Sequence, residues 1–485
     1  MWKNYLKIAY RNLLKNKIYS GINILGLGMG MAATLLILIY VVDELSYDKF
    51  HPDAPQIYRV GMKGSMNGNA FDMPYSPAPM AQAIQEEIAG VEDVLRIGVF
   101  RTMPMRFEEK SFTEPITLVT DPNFFRFFGF ELLKGDPETA LKGPDRVILT
   151  ESAAMRYFGD EDPIGKALLR GSEKTATEVT GVVADPPHNS HLTFDMILSG
   201  DSWGYMKDVQ WSSNNLYTYY KLNPQADQAA VKSAIDGFIP KYFGPEIQQF
   251  LGISLEKFKE QGNEFGYQVM PLLDIHLYSN TSDELKPGGS IQYLYIFGAV
   301  AFFIILIACI NFMNLATARA SNRAKEVGVR KAIGAQKNRL VIQFLSESFL
   351  YCLISGVLAI LLIVIALHPF NQLSGKDLGL GIFTNPMVGL GILGFLVMVG
   401  LIAGSYPAFY LTAFAPVTVL KGKIKAGVKR SNFRNGLVVF QFLISICLII
   451  GSMVVYKQLN YMQEKNLGFQ KENVLNLLHT RTLGE

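Results

Sequence analysis

The sequence predicts a multi-span membrane protein: five apolar helices with one large α+β domain outside the membrane. Two observations carry this reading. Residues 18–42, 287–318, 348–375, 378–420 and 435–456 contain no Asp, Glu, Lys or Arg. Each is longer than the ~20 residues a helix needs to cross a hydrocarbon core of roughly 30 Å. The second observation is charge placement. Lys3, Lys7, Arg11, Lys15 and Lys17 precede the first stretch. Arg319, Arg323, Lys325, Arg330, Lys331, Lys337 and Arg339 lie between the second and third, and Lys421, Lys423, Lys425, Lys429, Arg430 and Arg434 between the fourth and fifth. Residues 1–17, 319–345 and 421–434 hold 18 basic residues against one acid, Glu326, in a chain whose formal net charge is only +3. Short Lys/Arg-rich loops stay in the cytoplasm. Their alternation with the spans argues against nucleic acid as the partner.

In order, the reading is a cytoplasmic basic N-terminus at 1–17, a first span at 18–42, and an extracytoplasmic domain at 43–286. A second span at 290–318 and a cytoplasmic loop at 319–345 follow. Next come spans at 348–368 and 386–412, a cytoplasmic basic loop at 421–434 and a fifth span at 435–456. The first apolar run is too long for a cleaved leader and has no small-x-small site before Asp43. Its Gly21, Gly26, Gly28 and Gly30 suit close approach of a neighbouring helix. Cys309, Cys352 and Cys447 all fall in spans, so they read as small hydrophobes rather than a disulfide framework.

The outer region is long enough for a sizeable core. Alternating patterns predict strands at 56–63, 176–183, 216–222 and 267–272. Helices are expected at 79–88, 151–158 and 225–242, with Asp227 supporting the start of the third. Two lookalikes fail on chemistry. Gly159–Gly165–Lys166–Ala167 has five residues between its glycines and no Ser or Thr for magnesium, so it reads as a helix end and a turn. His188 and His191 have metal-like spacing but no second ligand pair nearby. No nucleophile elbow, zincin helix or phosphate-cradling loop occurs, so neither a catalytic residue, a metal nor a cofactor is expected.

The loop at 319–345 predicts a short basic amphipathic helix at the inner surface, a turn, and a helix entering span three. Val327, Lys331 and Gly334 share one helical face; Arg323, Glu326 and Arg330 share another. Gly328 and Gly334 offer close approach or a break. Two uses stay open on physics alone: a topogenic stretch lying on headgroups, or a docking surface for a cytoplasmic partner.

Here the residues carry a likeness. Arg323-x-x-Glu326-Val327-Gly328-x-Arg330-Lys331-Ala-Ile-Gly334, followed by Gln343-Phe-Leu-x-Glu347-Ser, resembles the coupling-loop signature of the FtsX-like permease family, which includes the MacB-type permeases of ABC transporters. Val147-Ile-Leu-Thr150, Asp162-Pro-Ile-Gly165 and Val179-Thr-Gly resemble the MacB-type outer core domain. Ser405-Tyr-Pro-Ala408 and Pro416-Val-x-Val-Leu420 resemble the end of that family's fourth helix. The resemblance implies an inner-membrane permease for export or extraction of cargo. It makes Arg323, Glu326, Val327, Gly328, Arg330, Lys331 and Gly334 the contact for a separate ABC ATPase, which would bind the ATP. It also implies a homodimer or a fused second unit, and leaves room for a periplasmic adaptor. The alternative is an FtsX-like regulator of an outer partner such as a cell-wall hydrolase.

Tyr10-Arg-Asn-Leu-Leu14 before span one is echoed by Phe433-Arg-Asn-Gly-Leu437 before span five. Span five is therefore expected to be the first helix of a second repeat, with 457–485 the start of a truncated second outer domain.

Overall fold

The computed structural model describes residues 2–465 apart from 172, 319, 382–385 and 414–427. The chain divides into a membrane-type unit, Met1–Val42 with Gln292–Lys471, and an outer unit that includes Asp43–Ile291.

In the membrane unit, α1 (Trp2–Lys15) leads into α2 (Lys17–Glu44). The helices of the outer unit are α3 (Pro79–Glu87), α4 (Phe124–Phe128), α5 (Glu151–Phe158), α6 (Gln228–Phe238), α7 (Gly244–Leu251), α8 (Leu255–Glu260) and α9 (Ile275–Tyr278). Then come α10 (Ile291–Ala318), α11 (Ala320–Ala332), α12 (Lys337–Ser374), α13 (Pro386–Thr412) and a fifth apolar helix, Val428–Glu464. Five of these are long and apolar enough to cross a membrane.

Leu27 and Met31 of α2, Ala308 and Phe312 of α10, Cys352 and Ala359 of α12, and Val399 and Ala403 of α13 form one buried cluster. Small residues let these helices close up: a Cβ at Gly30 would lie 2.5 Å from that of Ala308. Gly21, by contrast, has nothing within 4 Å. Ser20 and Tyr351 share a hydroxyl hydrogen bond of 2.8 Å between α2 and α12. The fifth helix stands apart, with 6% of its apolar window buried against at least 28% for each of the other four.

Within the basic N-terminal segment Trp2–Lys15 is helical, with Ala9 buried and Leu13 packed against the membrane-unit cluster. Two sequence boundaries move. The fifth helix begins at Val428, inside the segment assigned to the loop at 421–434, and continues to Glu464, so 457–464 belong to it and not to an outer domain. Residues 337–345 are the first turns of α12. Pro416–Leu420 and 466–485 lie outside the described residues.

The outer unit is built on β1 (Ile57–Met66), β2 (Asn69–Met73), β3 (Ser76–Pro77), β4 (Val91–Phe100), β5 (Met103–Phe107), β6 (Lys110–Glu114) and β7 (Thr117–Thr120), then β8 (Leu132–Lys134), β9 (Arg146–Thr150), β10 (Ala167–Arg170), β11 (Thr175–Val183), β12 (Met196–Ser199), β13 (Asn214–Leu222) and β14 (Glu264–Pro271). Eleven of them run in the order β14-β1-β13-β4-β7-β12-β9-β11-β10-β5-β6, with β2 paired to β1, β3 to β13 and β8 to β11. The β12–β7 and β11–β9 pairs are parallel, the rest antiparallel. This is the α+β domain the sequence predicts. Phe124, Phe125, Phe127, Phe128 and Phe130 bury together under the sheet, and Gly129, at φ 75°, turns the chain out of α4.

Candidate functional site

The cytoplasmic-type loop is a helix, a stop and a second helix. Arg330 and Lys331 sit in the last turn of α11, where cations suit the helix dipole. Gly334, at φ 96°, ends it: Gly334 N–H donates to Lys331 O and Ala335 N–H to Arg330 O, the paired bonds of a glycine-terminated helix.

This helix is mounted on the ends of two spans. Val327 is 2% exposed and packs with Leu340 and Phe344 of α12 and Ala408 and Leu411 of α13. Lys331 Nζ donates to Thr412 O at 2.5 Å, satisfying a carbonyl at the C-terminus of α13. Burial, with Lys337 nearby, lowers the pKa of that ammonium. Arg330 reaches both ways, donating to Gln343 Oε1 at 2.9 Å and pairing with Glu326 at 2.6 Å.

The seven residues the sequence singles out therefore divide. Val327 and Lys331 face the spans, Gly328 is buried, and Gly334 makes the turn. Glu326 and Arg330 stand at the open face, with side chains 57% and 36% exposed. Arg323 lies within α11; its side chain is outside the described set. Val329 was missed by sequence reasoning. It is 44% exposed, and Ile333, four residues on, is 82% exposed. Their i,i+4 spacing was the available signal.

A second cluster, also missed, lies within the outer unit around residues 43–48. Glu44 and His276 are both buried and meet at 2.9 Å, and the His276 ring stacks on Tyr47 at 3.4 Å. A Cβ at Gly289, shortly before α10, would collide with Glu44 Oε2. Asp48 is fully buried and accepts from the His191 backbone and pairs with His191 Nδ1 at 2.8 Å, while His191 Nε2 meets the Tyr219 hydroxyl. His188 pairs with Asp43 at 2.7 Å. Nearby, Arg59 grips Glu284 with two hydrogen bonds. The two histidines with metal-like spacing are thus each spent on a different carboxylate. No group of three or more His, Cys, Asp or Glu able to hold a metal occurs among the described residues. The phosphate-loop lookalike is a turn: Gly159 ends α5 at φ 62°, Gly165 has φ 78°, and Lys166 pairs with Glu161.

Residues 20–238 match the family model of the MacB-like periplasmic core domain, and residues 298–416 that of the FtsX-like permease C-terminal. The chain is 23% identical over 443 residues to the macrolide export ATP-binding/permease protein MacB of Bdellovibrio bacteriovorus, covering 86% of this chain and 61% of that protein. It is 21% identical over 439 residues to the ABC transporter permease YknZ of Bacillus subtilis, covering 86% of this chain and 98% of YknZ. The crystal structure of the periplasmic region of MacB from Actinobacillus actinomycetemcomitans covers 46% of this chain and 91% of its own, at 14% identity and a TM-score of 0.32. The chain spans less than two thirds of the curated MacB relatives it matches first. With an outer core domain inserted after one apolar helix and an FtsX-like segment after it, this chain belongs to the FtsX-like, MacB-type permease family.

Proposed function

We propose that the chain is the permease part of an ABC transport system, passing motion from a separate ATPase on the cytoplasmic side to the outer domain, for export or extraction of a cargo. The observation that carries the proposal is the mount of α11. Val327 and Lys331 tie the helix to α12 and α13, so a push on its open face reaches both spans rather than being lost in a loose loop. The open face offers an acid, a base and two aliphatic side chains: Glu326, Arg330, Val329 and Ile333. Such a face suits a partner groove lined by apolar residues with polar groups at its edge. ATP binding and hydrolysis are placed on that separate partner as part of this proposal, because no Walker A sequence occurs among these 485 residues. The basic segments orient the N-terminus and α11 to the cytoplasm. The extent of the core-domain match favours this reading over that of a regulator of cell-wall hydrolysis.

The test is proximity. The chain carrying Ile333→Cys is co-expressed with a candidate Walker-motif ABC ATPase subunit, and a short bifunctional thiol reagent is added. Cross-linking to the ATPase supports the docking face. Cross-linking from Leu373→Cys, at the far end of α12, with none from Ile333→Cys would refute it.

A further inference from the structure

The outer unit contains a cavity of about 570 Å³ that the proposed function does not use. Its floor is the sheet where β1, β2 and β14 meet: Met62 pairs with Met73 across β1 and β2 and with Tyr267 across β1 and β14. Its wall is the end of a helical run that changes pitch. A π-helical turn, Ile239–Phe243, separates α6 from α7 and sets the Phe243 ring on that of Phe265, centroids 4.0 Å apart. Single π turns inside helical runs are often found at functional sites. Phe250 and Leu251, at the end of α7 and also lining the cavity, are 60% and 58% exposed. Large apolar side chains held open to solvent around a concave surface mark a binding site rather than a packing defect.

The chemistry of the cavity restricts its occupant. The lining is mainly Met, Phe, Ile and Leu, and the volume lies within the roughly 300–1,000 Å³ of small-molecule sites. Methionine adapts to irregular apolar shapes. One charged group lines the cavity, the Glu246 carboxylate. It is held in place by the backbone N–H groups of Trp211 and Ser212, at 2.7 and 2.9 Å. No Lys, Arg or His is among the lining residues. Aromatic ring faces also attract a cation. Both features favour a positive charge and oppose an anion.

We propose that this cavity binds a small apolar molecule bearing an ammonium group, its carbon body among the Met and Phe side chains and its charge beside Glu246. The site is a property of the outer unit and stands whether or not an ATPase docks on α11.

The experiment is photo-labelling of the full chain in phosphatidylcholine nanodiscs with a diazirine-bearing dodecylamine, followed by peptide mapping. Labels are expected in 57–73 and 243–258. Unlabelled dodecylamine should compete at about tenfold lower concentration than dodecanol, a difference of about 1.4 kcal/mol, and dodecanoate should compete worst. Glu246→Gln should remove the preference for the amine and leave dodecanol unchanged. Met73→Trp, on a half-buried strand, should fill the cavity and abolish outer-unit labelling, with circular dichroism confirming that each variant folds. Three outcomes would overturn the proposal: labels confined to the membrane helices, dodecanoate competing as well as dodecylamine, or labelling of the Met73→Trp protein at the native level. Equal competition by dodecanoate and dodecylamine would identify an acyl-chain groove without charge selectivity.

Discussion

Asp48 shows how much depends on single side chains. Burial by itself raises a carboxyl pKa, but the charge of His191, the hydrogen bonds it gives and the imidazole of His51 at 3.7 Å outweigh it and hold Asp48 well below the usual carboxylate range. A folded-state pKa below the unfolded value of about 3.9 means the stabilisation is fully present above that pH. It is lost as pH falls further, toward the folded value. Asp48→Asn should therefore destabilise the outer unit by about 2 kcal/mol at pH 7. In thermal unfolding, the gap between native and variant should narrow only below about pH 4. A constant gap from pH 7 down to pH 3 would mean that packing, not ionisation, holds this residue. None of this was legible in the sequence. Asp43, Glu44 and Asp48 look like ordinary acids after an apolar run, and their histidine partners are 143 to 232 residues away.

At the scale of elements, local chemistry was readable and burial was not. Helix α5 appears where its pattern places it, with Thr150 capping it by accepting from Ala153 N–H. Asp227 caps α6 in the same way, accepting from Ala229 N–H. The predicted helix 225–242 departs at Ile239, where the π turn begins. Strands β1, β11, β13 and β14 fall where the runs 56–63, 176–183, 216–222 and 267–272 predict them. Strands β9 and β12 were missed because nearly every side chain is buried, which leaves no alternation to read. The hairpin of β5 and β6 was missed for another reason: its charged and polar residues look like a loop. For α11 the helix and the stop at Gly334 were legible. The sequence placed Val327 and Lys331 on one face but did not say that this face meets α13, 81 residues away at Thr412. Val327→Asp should detach α11, since it buries a carboxylate in an apolar cluster at a cost of roughly 3 kcal/mol. Gly334→Val should strain the turn by about 1–3 kcal/mol. Limited trypsin digestion checks both: cleavage at Arg330 or Lys331 should be fast in the variants and slow in the native protein. Equal cleavage rates would mean that the loop is already loose.

At the scale of the whole molecule, the charge asymmetry that the net charge of +3 conceals is the most useful property of the sequence. It gives an orientation that is tested independently of function. In a Cys447→Ala background, Asn215→Cys should react with an impermeant thiol reagent once the outer membrane is permeabilised, while Asn338→Cys should react only after the inner membrane is opened. Both positions are exposed. The reverse pattern would invert the topology.

ATP turnover in a reconstituted system measures most directly whether α11 receives the work of a separate ATPase. The chain alone should hydrolyse no ATP. The partner ATPase identified by the cross-linking should turn over faster when reconstituted with the chain, and Ile333→Asp should abolish the stimulation while Val209→Asp, a similarly exposed apolar residue in the outer unit, leaves it intact. Turnover by the chain alone, or full stimulation by the Ile333→Asp protein, would contradict the assignment.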